Sequence, residues 1–225
     1  MLSLHRLEVD SESDHPISSA ECMRLFGLIG GLPQITKLDL CYEEVNLGFN
    51  DIRPLLQAKT LSHLYLGLVT VSITNVELSF IGHSLPCLES FSLHLSPEEV
   101  PTLRGLTDLA KHALKLWHLN IFISPVFHPS ASNDRIPNGL KLDTLAHFQC
   151  LEYLNIGQSH LDTKWSSVVI CVLDQILPLG CDFGFWKTPE ADEVVHRSDE
   201  EWGKVAFSLH HRGVLEVPLP QDGSL

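Results

Sequence analysis

A six-residue pattern, Leu-x-x-Leu-x-Leu, recurs six times in this chain of 225 residues. It runs Leu4-His-Arg-Leu7-Glu-Val9, Ile35-Thr-Lys-Leu38-Asp-Leu40 and Leu61-Ser-His-Leu64-Tyr-Leu66. It continues as Leu88-Glu-Ser-Phe91-Ser-Leu93, Leu116-Trp-His-Leu119-Asn-Ile121 and Leu151-Glu-Tyr-Leu154-Asn-Ile156. The first residues of successive copies are 31, 26, 27, 28 and 35 residues apart. One such hexamer carries little information in a leucine-rich sequence, but six at near-regular spacing constrain the fold. Within each copy the apolar residues alternate with polar ones, as a strand with one buried face requires.

Helix signals fall between the strands. Ser18-x-x-Glu21 and Thr74-x-x-Glu77 are capping boxes ahead of apolar stripes, the first closed by Gly30-Gly31 and the second by Pro86. Ser198-x-x-Glu201 predicts a third start. Trp165, Val168, Val169, Val172, Leu173 and Ile176 form the clearest helical stripe. Helices are also expected over Thr102 to Ala113 and, shorter, over Asp51 to Ala58. A strand and a helical return in each repeat predict an α/β leucine-rich-repeat solenoid, with a parallel sheet on the concave face and helices on the convex face. No repeat buries its own apolar side, so the copies must stack into one domain, expected over residues 1–217. A proline-rich insertion is expected at 124–139, a last irregular strand at Cys181 to Trp186, and a disordered tail at 218–225.

Composition narrows the function. The formal net charge is −13, from 28 acidic against 15 basic residues. Phosphate backbones and anionic membranes are bound through Lys and Arg, so neither nucleic acid nor membrane is expected as a partner. The six cysteines stand singly, no Asn begins a glycosylation acceptor, and the first ten residues lack a signal peptide's apolar stretch. These features predict an intracellular, reducing home.

Period-2 alternation places the outward strand residues in columns. The first column is Arg6, Lys37, His63, Ser90, His118 and Tyr153, and the second is Glu8, Asp39, Tyr65, Ser92, Asn120 and Asn155. A third, one step further, is Asp10, Cys41, Gly67, His94, Phe122 and Gly157. The candidate partner-binding residues are Lys37, Asp39, His63, Tyr65, Ser92, His94, His118, Asn120, Phe122, Tyr153 and Asn155. Aromatic side chains anchor interfaces while charge is depleted at their centres, so the contact patch is placed around Tyr65, His94, His118, Phe122 and Tyr153. An ordinary solvated sheet face is the alternative. His63 and His118 sit two strands apart, about 10 Å, too far to share a metal easily. Ser159 lacks the second glycine of a nucleophile elbow and reads as a loop serine. Trp117, Trp165, Trp186 and Trp202 read as packing residues. No catalytic residue, metal or cofactor is expected, and the chain is not read as an enzyme.

The irregular 26-to-31-residue repeats, the segment WSSVVICVLDQILPLG and the later EEWGKVAFSL resemble the repeat region of F-box/leucine-rich-repeat proteins from mushroom-forming fungi. The resemblance runs from about Leu4 to Val217. It implies that the repeats recognise a protein substrate, while an F-box docks a Skp-type adaptor of a cullin ubiquitin ligase. The first repeat begins directly after Met1, so that adaptor is expected as a partner only if an F-box lies upstream. The Asn that many such repeats carry beyond the strand is replaced by Ser96, Ser124 and Ser159. A regulatory scaffold such as a GTPase-regulating repeat protein, or a truncated product without independent function, are the competing readings.

Overall fold

In a computed structural model, the described residues are 4–10, 18–41, 45–95, 100–125, 145–157, 159–185 and 193–211. The predicted strands form there as β1 (Arg6–Asp10), β2 (Lys37–Cys41), β4 (His63–Ser72), β5 (Ser90–Leu95), β6 (His118–Ile121) and β7 (Tyr153–Asn155). Two further strands, β3 (Asn46–Gly48) and β8 (Asp182–Gly184), complete an eight-stranded sheet. Every pairing is parallel, in the order β1-β2-β4-β5-β6-β7-β8, with β3 beside the second half of β4. Neighbours in the sheet are therefore neighbours in sequence, and each strand returns parallel to the last through an intervening connection.

A recurring hydrogen-bond arrangement sets the register. At the start of β2, β4, β5, β6 and β7 two successive amides donate to one carbonyl just ahead of the preceding strand. Thr36 and Lys37 donate to His5, Ser62 and His63 to Thr36, Glu89 and Ser90 to Ser62, and Trp117 and His118 to Glu89. Glu152 and Tyr153 then donate to Trp117. The pairing Leu7↔Leu38↔Leu64↔Phe91↔Leu119↔Leu154 follows, together with Val9↔Leu40↔Leu66↔Leu93↔Ile121. From Leu38 and Leu40 onward these side chains are buried, and they belong to one contiguous core with the buried faces of the helices. A register slip of one residue would turn all of them to the opposite face, so the apolar alternation and the ladder specify the same sheet.

The helices are α1 (Ser19–Gly30), α2 (Phe49–Ile52), α3 (Asn75–Ser84), α4 (Leu103–Ala110) and α5 (Ser166–Ile176), which lie between strands, and α6 (Glu193–His211), which follows β8. Both capping boxes form: Ser18 Oγ accepts the Glu21 amide while Glu21 accepts the Ser18 amide, and Thr74 and Glu77 do the same for α3. The Ser18 hydroxyl, which donates to the Glu21 carboxylate at 2.6 Å, and then the Ser18 amide hold that carboxyl below its ordinary range. Core residues Cys22, Phe26 and Ile29 of α1, and Val169, Val172, Leu173 and Ile176 of α5, lie at helical spacing. The helix expected over 51–58 is instead α2 followed by a 3-10 turn, Arg53–Gln57, with Pro54 in its first turn.

Several expectations need correction. Ser198 and Glu201 do not open a helix, because α6 begins at Glu193. Both side chains are buried and reach across the chain: Ser198 Oγ accepts the Leu161 amide at 2.8 Å, and Glu201 accepts from Ser166 Oγ. Hydrogen bonds from Lys204 and Ser166 hold the Glu201 carboxyl below its usual range. Of the insertion expected at 124–139 two residues are described: Ser124 bridges Thr102 and Pro125 is buried. The rest of that segment, Trp186 and the tail at 218–225 lie outside the described residues. Trp165 and Trp202 pack in the core as expected, but Trp117 is 39% exposed and does not. No described helix is long and apolar enough to cross a membrane.

Candidate partner-binding face

Alternation along the strands puts the remaining strand residues on the face opposite the core. Its first column is Arg6↔Lys37↔His63↔Ser90↔His118↔Tyr153, and its second is Glu8↔Asp39↔Tyr65↔Ser92↔Asn120↔Asn155, in the expected register. The third column is broken. A bulge in β4 between Leu66 and Thr70 pairs His94 with Thr70, so Gly67 faces no β5 residue. Residues added by a bulge leave the ladder locally, and no hydrophobic count marks where this happens. Phe122 likewise lies just past β6, half-buried against the core.

Charge is concentrated at the first two strands, where Lys37 is exposed, Asp39 is half-buried and Arg6 pairs with Glu8. The face then becomes aromatic and uncharged as far as β7, and the exposed Asp182 of β8, the register partner of Tyr153, closes it with a carboxylate. Tyr65 is 41% exposed, and its ring lies over Gly67, where a Cβ would come within 2.5 Å of Tyr65 Cε1. Partial burial raises its phenol above the ordinary value. His63 is half-buried, with Nδ1 2.8 Å from Ser62 Oγ. Burial first, and the Lys37 ammonium second, lower its affinity for a proton.

On the later strands the rings join. His118 stacks on Tyr153 with centroids 4.9 Å apart, and Trp117 meets His118 edge-on at 5.5 Å. Burial lowers the His118 pKa as well. His94 meets Phe122 at 5.1 Å, nearly edge to face. Between these rings lie fixed amides and hydroxyls. Asn120 Nδ2 donates to Ser92 Oγ at 3.0 Å, and Asn155 Nδ2 donates to Tyr153 Oη at 3.2 Å while its Oδ1 accepts the Gly157 amide at 2.7 Å. Ser92 and Asn155 are themselves buried, so they brace their neighbours and offer little surface.

All eleven candidate residues are thus on or beside one sheet, but they play different parts. Tyr65, Trp117, His118 and Tyr153 offer ring surface, Lys37 and Asp39 form a charged end, and Ser92 and Asn155 are internal supports. Trp117 enters this group although it is read from the sequence, with the other tryptophans, as a packing residue. Its signal was present in sequence as an aromatic directly preceding His118. Ser159 lies in a loop, as expected, and has a structural part there. It is buried, accepts the Ile123 amide at 2.9 Å and donates to the Ile156 carbonyl. It thereby satisfies backbone groups of two successive repeats. His63 and His118 are separated by the whole of β5, about 10 Å. Among the described residues no three His, Cys, Asp or Glu side chains gather in a way that could hold a metal ion. Compared with known proteins, the chain matches no family model, and no curated protein is significantly similar to it.

Proposed function

We propose that the chain is a leucine-rich-repeat solenoid that binds a protein client on the concave side lined by its sheet. The observation that carries this reading is the cluster of Trp117, His118 and Tyr153 rings, with Tyr65 on the same face, backed by hydrogen-bonded amides. Rigid amphipathic rings contribute contact area at low entropic cost, and prefixed polar neighbours lose little freedom on binding. The resemblance to F-box/leucine-rich-repeat proteins supports a finer reading, in which this face recognises the substrate of a ubiquitin ligase.

The binding claim is tested by immobilising the chain and comparing the proteins retained by wild type, by Tyr65→Ala/Tyr153→Ala, and by Leu28→Ser on α1. Circular dichroism checks that each variant is folded. A specific partner should be lost by the double variant and kept by the helix variant. Retention of the same partner by the double variant would refute the assignment. The ligase claim is tested by fusing the chain behind an F-box in a reconstituted cullin ligase: the client should be ubiquitinated. A client that binds but is not modified would remove the ligase reading and leave the binding module.

A further inference from the structure

A half-open cavity of about 390 Å³ lies at the carboxyl ends of β6 and β7. Its apolar wall is built by Val100, Phe122, Pro125 and Trp165. The backbone around it is held in place, for Ser124 donates its amide to the Pro101 carbonyl at 2.7 Å and Ser159 Oγ ties Ile123 to Ile156. The cavity is therefore pre-formed, and its volume is near the lower end of the ~300–1,000 Å³ typical of ligand sites.

Its polar groups say what would fit. Trp165 is 9% exposed, yet its indole N–H has no hydrogen-bond acceptor among the described residues. Trp202, which is more deeply buried, donates its own indole N–H to the Ser159 carbonyl at 2.6 Å. Buried indole donors ordinarily find partners, so an acceptor is wanted at Trp165. Charge at the mouth is already balanced: Lys164 Nζ lies 3.6 Å from Asp162 Oδ2, and Asp162 also accepts the Lys164 amide. An anionic ligand would find no uncompensated cation there. Phe122, whose ring meets His94 on the sheet face, connects the cavity to that face.

We infer that this cavity is an anchor pocket for one bulky apolar side chain of an uncharged peptide segment, whose main-chain carbonyl accepts from the Trp165 indole N–H. The inference rests on the protein-binding reading for its partner, and it adds where that partner is gripped. A leucine- or phenylalanine-sized group fills the apolar wall, and the amide supplies the single acceptor. A free carboxylate would gain no net attraction from the Lys164–Asp162 pair and would lose its hydration.

The test is an NMR titration of the full chain with N-acetyl-phenylalanine methylamide and its leucine analogue. The Trp165 indole signal is identified by its loss in Trp165→Phe. Saturable shifts of that signal and of the Ile123 amide are expected, with no comparable effect from N-acetyl-glycine methylamide. Trp165→Phe keeps the apolar bulk but loses the donor, and should weaken binding about fivefold, as one hydrogen bond does. Absence of saturable shifts would overturn the inference. So would equal binding of toluene, which has no acceptor, or binding seen only after residues 126–144 are deleted, which would mean that the chain fills its own cavity. The Tyr65→Ala/Tyr153→Ala variant separates the two claims, since it should still bind the probe. A partner that is lost by this double variant but held undiminished by Trp165→Phe would sink the anchor pocket alone.

Discussion

The imidazole of His118 lies flat against the ring of Tyr153, with 4.9 Å between centroids and 18° between planes. The two residues are direct partners in adjacent strands, so the stack is fixed by the sheet register. It also buries part of the imidazole, which disfavours the protonated form. His63 is shifted the same way. The folded pKa values of both lie below the unfolded value of about 6.5, so the unfolded chain binds more protons as pH falls. Their contribution to stability is complete above that value and is lost as pH drops toward and through the folded values. Thermal unfolding should show a lower midpoint at about pH 5.5 than at about pH 7.5. His63→Gln/His118→Gln should flatten that part of the profile. An unchanged slope would mean that other groups carry it.

The core should respond to truncation in proportion to burial. Leu119 is fully buried at the centre of the sheet, whereas Leu114 is 46% exposed. Leu119→Ala should cost about 2–5 kcal/mol in denaturant unfolding. Leu114→Ala should stay within about 0.5 kcal/mol.

Gly157 has a φ of +59°, and a Cβ there would lie 1.6 Å from Phe122 Cε1. Two effects therefore add in Gly157→Ala: left-handed backbone strain and a collision with a half-buried ring. The substitution should destabilise by about 2–4 kcal/mol and displace Phe122 from His94. Urea unfolding and the His94 ring shifts would measure both.

Two buried hydroxyls satisfy amides far away in sequence. Ser159 Oγ accepts from Ile123 and Ser198 Oγ from Leu161. Ser159→Ala and Ser198→Ala each leave a buried donor without its acceptor, at a cost of about 1–3 kcal/mol. Hydrogen exchange should speed up locally, at the Ile123 amide in the first variant and at Leu161 in the second. Unchanged exchange would show that these amides have another acceptor.

Strand existence, direction and register were readable because alternation is a two-state pattern. Leu38-Asp39-Leu40 has one sensible orientation against a core, and each following copy must agree with it. Strand β3 was not readable: Asn46-Leu47-Gly48 is too short to show a period, and it forms because β4 continues past the end of β2. The bulge in β4 has no composition signal, so period-2 alternation aligns His94 with Gly67 where the ladder has Thr70. Ser198-x-x-Glu201 matches a helix start by local pattern, yet tertiary partners at Leu161 and Ser166 claim both side chains. The candidate face was readable as columns, but exposure within a column depends on neighbours. Ser92 is covered by Asn120 and its surroundings, while Tyr65 in the same column stays exposed.

Site-specific photo-crosslinking would show whether a protein partner meets the sheet face. Benzoyl-phenylalanine would be placed singly at Tyr65 and Tyr153 on the sheet face, and at Leu28 and Val76, which are 73% and 78% exposed on α1 and α3. With the partner bound, adducts should form from Tyr65 and Tyr153 and be absent from Leu28 and Val76. Adducts confined to the helix positions would contradict the account.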